Sequence, residues 1–399
     1  MARPARRLIR ILAATFAALL LLALLGVAAL FLFVDADTFR PFIERAASDA
    51  LGRPVSLGRL HWQLGRRVGL RSEGGAVANA PGFDAPQWVS WRSVDFGVAL
   101  WPLVRQRDVR VDHLSVQGLA LDLQRLGDGS ANWEFALLSL GGDVGQGAGD
   151  AVSSAQPWRF ALDTLELSDA AVRFRDEVSG RDVAVSALNL SLRLPEDLTA
   201  STLRFEDIAL AARVQDWPVR FQADAVDVAL ADAAVDLPAF EAQFDETSVS
   251  GALQVGAGES LSVDARLNGA VPSVRRQLER LGLPLSPMRD ADVPGAATVA
   301  AHVRLADGAA HVDDLVLHVD DTTLQGTVEL PSLDPFSLRF DLDADRLRLD
   351  RYLSPTSAPS EPFELPVSML RSLDAKGTLR VGELEASGAM ARSSVITVE

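Results

Sequence analysis

From Phe336 to Ala344 apolar residues occupy every even position: Phe336, Leu338, Phe340, Leu342 and Ala344. Ser337, Arg339, Asp341 and Asp343 stand between them. A period of two marks an extended strand with one oily and one wetted face. At Asp345–Arg346 the phase reverses, and Leu347 and Leu349 are apolar on odd positions. A slip of one residue exchanges the two faces of a strand. A bulge or tight bend is therefore predicted at Asp345–Arg346, returning both apolar runs to one surface. The same theme recurs along the chain. Val94, Phe96, Val98 and Leu100 alternate, as do Leu119, Leu121 and Leu123. Trp158–Leu167 and Ala170–Arg175 read as two strands, with Leu165, Leu167, Val172 and Phe174 as apolar members. Further strands are predicted at Val183–Leu192, Leu203–Val214, Val219–Leu230, Val249–Val255, Leu261–Leu267, Thr298–Leu305, His311–Val319, Thr323–Leu330, Ser372–Val381 and Val395–Glu399. Turn residues separate them, as in GDGSANW at 127–133 and DEVSGR at 176–181. Strands at such regular spacing indicate an antiparallel, mostly β architecture.

Two short helices interrupt this series. The first follows Thr38, a candidate N-cap, carries Pro41 in its first turn and stops at Gly52. It either rests on a membrane surface or plugs one end of a sheet. The second is capped by Ser273, turns Val274, Leu278 and Leu281 one way, and ends at Gly282 and Pro284. Two polar, low-complexity stretches, near 140–156 and 355–362, read as mobile loops.

The N-terminus has a different composition. Arg3, Arg6, Arg7 and Arg10 precede a 24-residue uncharged run from Ile11 to Val34. About 20 apolar residues span a bilayer as helix, whereas a signal peptide's apolar region is usually about 7–15. Residues 1–34 therefore read as a stub and an uncleaved transmembrane anchor. The arginines place the N-terminus in the cytoplasm and residues 35–399 on the far side.

Charge narrows the function classes. The chain has 38 basic and 54 acidic residues, for a net −16. The first 34 residues hold four arginines and no acid, leaving −20 on the body. Nucleic-acid binding wants a basic face, so it is excluded as a partner class. There is no cysteine, hence no disulfide framework and no thiolate metal site. No phosphate loop, nucleophile elbow or H-E-x-x-H motif is present. His311 and His318, with Asp313, Asp314, Asp320 and Asp321, form the one cluster that suggests metal. Their opposite parity sends the two histidines to opposite faces of an uninterrupted strand. The sequence thus points to a protein without catalytic residues, metal or cofactor.

What remains is a long run of one-sided strands whose oily sides must be hidden. A two-sheet sandwich would do so. The inward residues are mostly Leu, Val and Ala, and no further population of helices could cover a sheet. A curled sheet that keeps its apolar face as a groove for acyl chains is the alternative. The candidate groove wall is Leu338, Phe340, Leu342, Leu347, Leu349, Leu165, Leu167, Val172, Phe174 and Phe96. The Arg–Asp alternation on the other parity is expected to form cross-strand pairs facing water.

Several segments together resemble the AsmA family of Gram-negative bacteria, within the class of repeating β-groove, bridge-like lipid transfer proteins. They are the N-terminal anchor, FIERAASDALGRPVSLGRLHW at Phe42–Trp62, VDFGVALWPLV at Val94–Val104 and DGSANW at Asp128–Trp133. LERLGLP at Leu278–Pro284, VDDTTLQGTVEL at Val319–Leu330 and the DRLRLDRYL ending of the first stretch complete the set. The resemblance implies a single-pass inner-membrane protein, anchored by residues 11–34, whose periplasmic β-groove carries phospholipid toward the outer membrane. It also implies envelope partner proteins. A different implication is a periplasmic scaffold that affects outer-membrane protein assembly or targeting without carrying lipid. No catalytic residue comes with the family. The chain stops inside an alternating VITVE, where longer members continue, so it reads as a short member or a piece of a longer protein.

Overall fold

The computed structural model describes residues 35–64, 68–98, 109–133, 160–195, 197, 200–258, 260–283, 285–333, 336–354 and 374–398. The predicted anchor at 11–34 and the predicted loops at 140–156 and 355–362 lie outside them. The described chain is built almost wholly from strands and divides into two compact units, Met1–Leu188 and Asn189–Glu399.

The first unit opens with a 3-10 turn, Ala36–Phe39, capped by Asp35, whose Oδ1 accepts from the Asp37 N–H. It leads directly into helix α1 (Arg40–Leu51). The N-terminal cap is therefore Asp35 rather than Thr38, because the 3-10 turn draws Thr38 into helical structure. Gly52 ends α1 in the left-handed region at φ 63°, as its sequence position suggests. Strands β1 (Val55–Leu64), β2 (Val68–Ala78) and β3 (Gln87–Val98) pair antiparallel in order. β3 then pairs with β4 (Val109–Gln117) and, beyond a bend, with β5 (Ala120–Arg125). Both lie parallel to β6 (Phe160–Asp176). The Asp176–Arg181 turn leads into β7 (Arg181–Arg193), which runs across the division between the units.

In the second unit β8 (Thr202–Val214), β9 (Trp217–Ala229), β10 (Ala234–Phe244), β11 (Thr247–Ala257) and β12 (Leu261–Val271) form antiparallel neighbours. Helix α2 (Val274–Arg280) follows, its first turn capped by Ser273 Oγ from the Arg276 N–H. The antiparallel series resumes with β13 (Ala297–Ala306), β14 (Ala309–Val319), β15 (Thr322–Leu333) and β16 (Phe336–Arg348). β17 (Asp374–Ala386) lies parallel to β16 and antiparallel to β18 (Ala389–Val398).

The parallel pairs correct the expectation of an antiparallel sheet. A parallel neighbour needs a connection of a dozen or more residues, and β6 and β17 each follow such a connection, at 126–159 and 349–373. β10 was not among the predicted strands, because Pro238 and Ala239 interrupt its alternation between Leu237 and Phe240. The two strands predicted at Trp158–Leu167 and Ala170–Arg175 are one strand, β6.

That last difference exposes how the sheet is made. Apolar parity flips between Leu167 and Val172, and Asp169 between them sits at φ 51°. Each neighbouring strand breaks at the same level. Gly74 of β2 is at φ 84°, Gly118 between β4 and β5 is at φ 63°, and the Arg92 side chain lies against Gly118 and bonds Asp169 at 3.0 Å. On β1, a Cβ on Gly58 would stand 1.7 Å from the Glu73 carbonyl oxygen, so only glycine fits the close approach. The second unit repeats the device. Asp207 of β8 (φ 52°) and Asp314 of β14 (φ 51°) occupy the flips of their strands, and the β13/β14 register shifts by one residue there. A single residue in left-handed conformation bends the strand and resets which side its neighbours face.

The predicted break at Asp345 uses a side chain in place of a left-handed residue. Its Oδ1 accepts from the Thr323 N–H at 2.7 Å and from the Arg346 N–H at 2.5 Å, so the side chain takes a place in the ladder. Partial burial raises the carboxyl pKa, but these backbone donors outweigh it and hold it below the usual range. The β16/β17 register is nonetheless the same on both sides, from Ala344↔Val381 to Arg346↔Glu383. β17 breaks opposite, at Gly382, and β18 at Ser393, which is at φ 53°. The strands bend together, with no inserted residue.

Replacement of Asp169 separates backbone from charge. The Arg92–Asp169 pair is exposed and worth little, whereas a β-branched residue in left-handed conformation costs about 1–2 kcal/mol. Asp169→Val is expected to lower stability by that amount and Asp169→Gly to leave it nearly unchanged, read as shifts in the urea midpoint.

Candidate functional site

The registers assemble the apolar positions into rows that cross the strands. In the second unit Leu237, Leu253, Ala265, Val303, Val312, Val328 and Phe340 are successive cross-strand partners from β10 to β16. A second row joins Leu210, Phe221, Ala242, Val249, Gly269, Val299, Leu317, Leu324, Ala344 and Val381. Between them runs Leu315, Gly326, Leu342, Leu379 and Ile396. Val312 and Leu315 differ in parity, yet both join apolar rows, because the Asp314 bulge lies between them.

The first unit has the same construction. Trp62, Leu70, Phe96, Leu114 and Leu165 form one row, and Leu60, Ser72, Val94, Val116 and Leu167 the next. Beyond the line of breaks, Val77, Val89, Leu121 and Val172 continue it, and Leu123 pairs with Phe174. The Trp133 ring packs on Phe174 with centroids 5.7 Å apart. Trp133 is held by a turn whose Asn132 is fully buried. Asn132 Nδ2 donates to the Asp122 carbonyl at 2.8 Å, and its Oδ1 accepts from the Gln124 N–H at 3.0 Å.

Burial decides what these rows are. All ten candidate wall residues are half-buried. Among the described residues, Leu60 and Leu237 are the buried leucines and no aromatic side chain is buried. A sandwich would bury large apolar side chains completely between its sheets. Leu60, Val77, Leu237, Ala265, Ala344 and Val381 of these rows are buried, whereas the larger candidate side chains beside them stay half-exposed.

The candidate residues meet as rows, with one exception. Leu338 pairs with Ala375, Phe340 with Gly377, Leu342 with Leu379, and Leu347 with Leu384. Leu349 lies past the strand, in a 3-10 turn at Leu349–Arg351. Phe340 lies directly over Gly377, where an added Cβ would come within 2.6 Å of the ring. Trp91 covers Gly75 in the same way. The glycines let each ring lie flat along the sheet. Sequence alternation cannot reveal this, because the covered residue sits on another strand.

The opposite parity carries the charge. Arg380 bonds Asp341 at 2.6 Å, Arg204 bonds Asp227 at 2.8 Å, His302 bonds Asp264 at 2.9 Å, and Arg304 bonds Asp313. The guanidinium of Arg304, hydrogen-bonded to Asp313, holds that carboxyl below its usual range. A recess of about 560 Å³ is lined by the polar row Asp236, Gln254, Asp264 and Arg304 together with the apolar row Val235, Val255, Val263 and Leu305.

The two histidines do not face opposite ways, because their strand is interrupted. His311 pairs with Arg304 and His318 with Thr298, two positions of equal parity on the regular strand β13. The bulge at Asp314 puts both histidines on the polar side. His318 Nδ1 is 3.0 Å from Thr323 Oγ1. No group of three or more metal-ligating side chains occurs among the described residues.

The floor of the apolar rows is intolerant of added bulk. A Cβ on Gly326 would stand 2.0 Å from the Asp341 carbonyl oxygen, which belongs to the neighbouring backbone and cannot swing away. Gly326→Ala is expected to cost about 1–3 kcal/mol, measured by urea unfolding.

No curated protein and no solved structure matches the chain. The AsmA family model matches residues 5–243, which takes in the N-terminal apolar run, the first unit and the strands through β10, and the chain belongs to the AsmA family.

Proposed function

We propose that this protein is a non-enzymatic lipid carrier that shields phospholipid acyl chains along its apolar rows and supports lipid movement between inner and outer membrane. The observation that carries this reading is the half-exposure of Phe340, Leu342 and Leu338, large apolar side chains on one parity of a strand. An uncovered apolar face of this extent needs an occupant to keep water from it. Acyl chains suit it because the rows offer Leu, Val and Ala with few polar groups, hence little directional bonding. Family membership and the dominance of β-strands agree with a role in envelope biogenesis. In this reading residues 11–34 anchor the chain in the inner membrane, the N-terminus is cytoplasmic and the body is periplasmic.

The rival is a scaffold that recruits envelope proteins by strand addition to a sheet edge. One edge is poorly suited to it. The N–H groups of Val55, Leu57 and Leu60 on β1 are already bonded by Ser48 Oγ, Glu44 Oε1 and Asp37 Oδ1 at 2.9, 2.7 and 3.2 Å.

Photo-crosslinking residues at Leu338, Phe340 and Leu342 are expected to yield lipid adducts, and those at Arg339 and Asp341 none. Protein adducts alone, or equal labelling of both sets, would overturn the carrier reading. Phe340→Asp is expected to abolish lipid transfer while the protein stays folded. Loss of folding in this variant would instead mark Phe340 as a core residue.

A further inference from the structure

Helix α1 has one side that the fold uses and one that it leaves bare. Toward β1 it presents Ile43, Glu44, Ala47 and Ser48, all half-buried, with Glu44 and Ser48 bonded to strand N–H groups. On the opposite side stand Phe42, Arg45, Ala46 and Asp49, all exposed. Phe42 is 68 % exposed, and Phe39 nearby is 45 % exposed, its ring edge-on to Trp62 at 6.4 Å. An isolated exposed apolar residue is ordinary. The position of these two rings in the chain is what singles them out.

The uncharged 24-residue run ends at Val34, next to the first described residue. From there to Phe42 the chain is almost entirely 3-10 turn and α-helix. At a rise of no more than about 2 Å per residue, eight residues put Phe42 within roughly 16 Å of the end of the run. The headgroup layer on each side of a bilayer's hydrocarbon core is itself several ångströms deep. A run that crosses the membrane therefore delivers Phe42 to its surface.

We propose that α1 lies on the bilayer that the N-terminal run enters, with Phe42 set into the boundary between headgroups and acyl chains. Arg45, one turn further on the same side, offers its guanidinium to lipid phosphate. The polar side of the helix is held to β1 by Glu44 and Ser48, so the contact ties the first strand to the membrane surface. This rests on the anchor reading but not on lipid transport, and the test separates the two.

The chain has no cysteine, so Phe42→Cys in the full-length protein gives one labelling site for an environment-sensitive fluorophore. Asp232→Cys, in the exposed turn between β9 and β10, serves as control. Both are reconstituted in phosphatidylcholine vesicles with nitroxide-labelled acyl chains. A side chain about 5–10 Å into the headgroup–acyl boundary loses most of its emission to the nitroxide and little to aqueous iodide. That result is expected at position 42 and its reverse at 232. Iodide quenching at both positions, in protein that resists carbonate extraction, overturns the proposal while leaving the anchor in place. Protein that carbonate extracts from the vesicles overturns the anchor, and the proposal with it.

Discussion

The constraint on which this fold depends is that one side of every strand must stay apolar across bends that would otherwise turn it to water. Alternation is rigid: every residue added to one side of a pairing swaps the faces beyond it. The chain meets this by breaking neighbouring strands at a common level. Gly58, Gly74, Arg92, Gly118 and Asp169 mark one such line, and Asp345, Gly382 and Ser393 another. Each break has its own local chemistry. Glycine tolerates close approach or left-handed φ, aspartate tolerates left-handed φ, and Asp345 substitutes its carboxylate for a ladder acceptor. Where only one strand breaks, as at Asp314, the register shifts by a residue and the pairing resumes beyond it.

From this follows the unusual distribution of burial. A protein with large apolar content ordinarily hides its leucines and aromatics completely. Here most of those residues stay half-exposed, with Leu60 and Leu237 the buried leucines among the described residues, while the fully buried side chains include Gln124 and Asn132. These two amides belong to a network with Asp84, Asp122, Arg175 and Glu177 that fixes the turn carrying Trp133. Specific polar bonding thus holds the end of the strands, whereas the apolar face is left without directional partners.

Much of this was legible in the sequence because alternation is local. The strands, the helix caps at Gly52 and Ser273, and the phase reversal at Asp345 could all be read from neighbouring residues. The reversals at Asp169 and Asp314 are equally visible in the sequence, but alternation alone does not distinguish a left-handed residue within one strand from a gap between two. What could not be read were relations between distant segments. Nothing near β6 or β17 announces a parallel neighbour, and nothing near Phe340 announces Gly377. β10 was lost because Pro238 blurs a pattern that its partners β9 and β11 restore.

The bonds from α1 to β1 have a consequence for how such a sheet can change in length. Adding a hairpin beyond β1 would require Asp37, Glu44 and Ser48 to surrender three strand N–H groups and would displace the helix from the edge. Duplication of hairpins elsewhere in the series carries no such cost. The first strand therefore acts as a fixed origin. A strand added to the sheet is therefore accommodated after β1 more easily than before it.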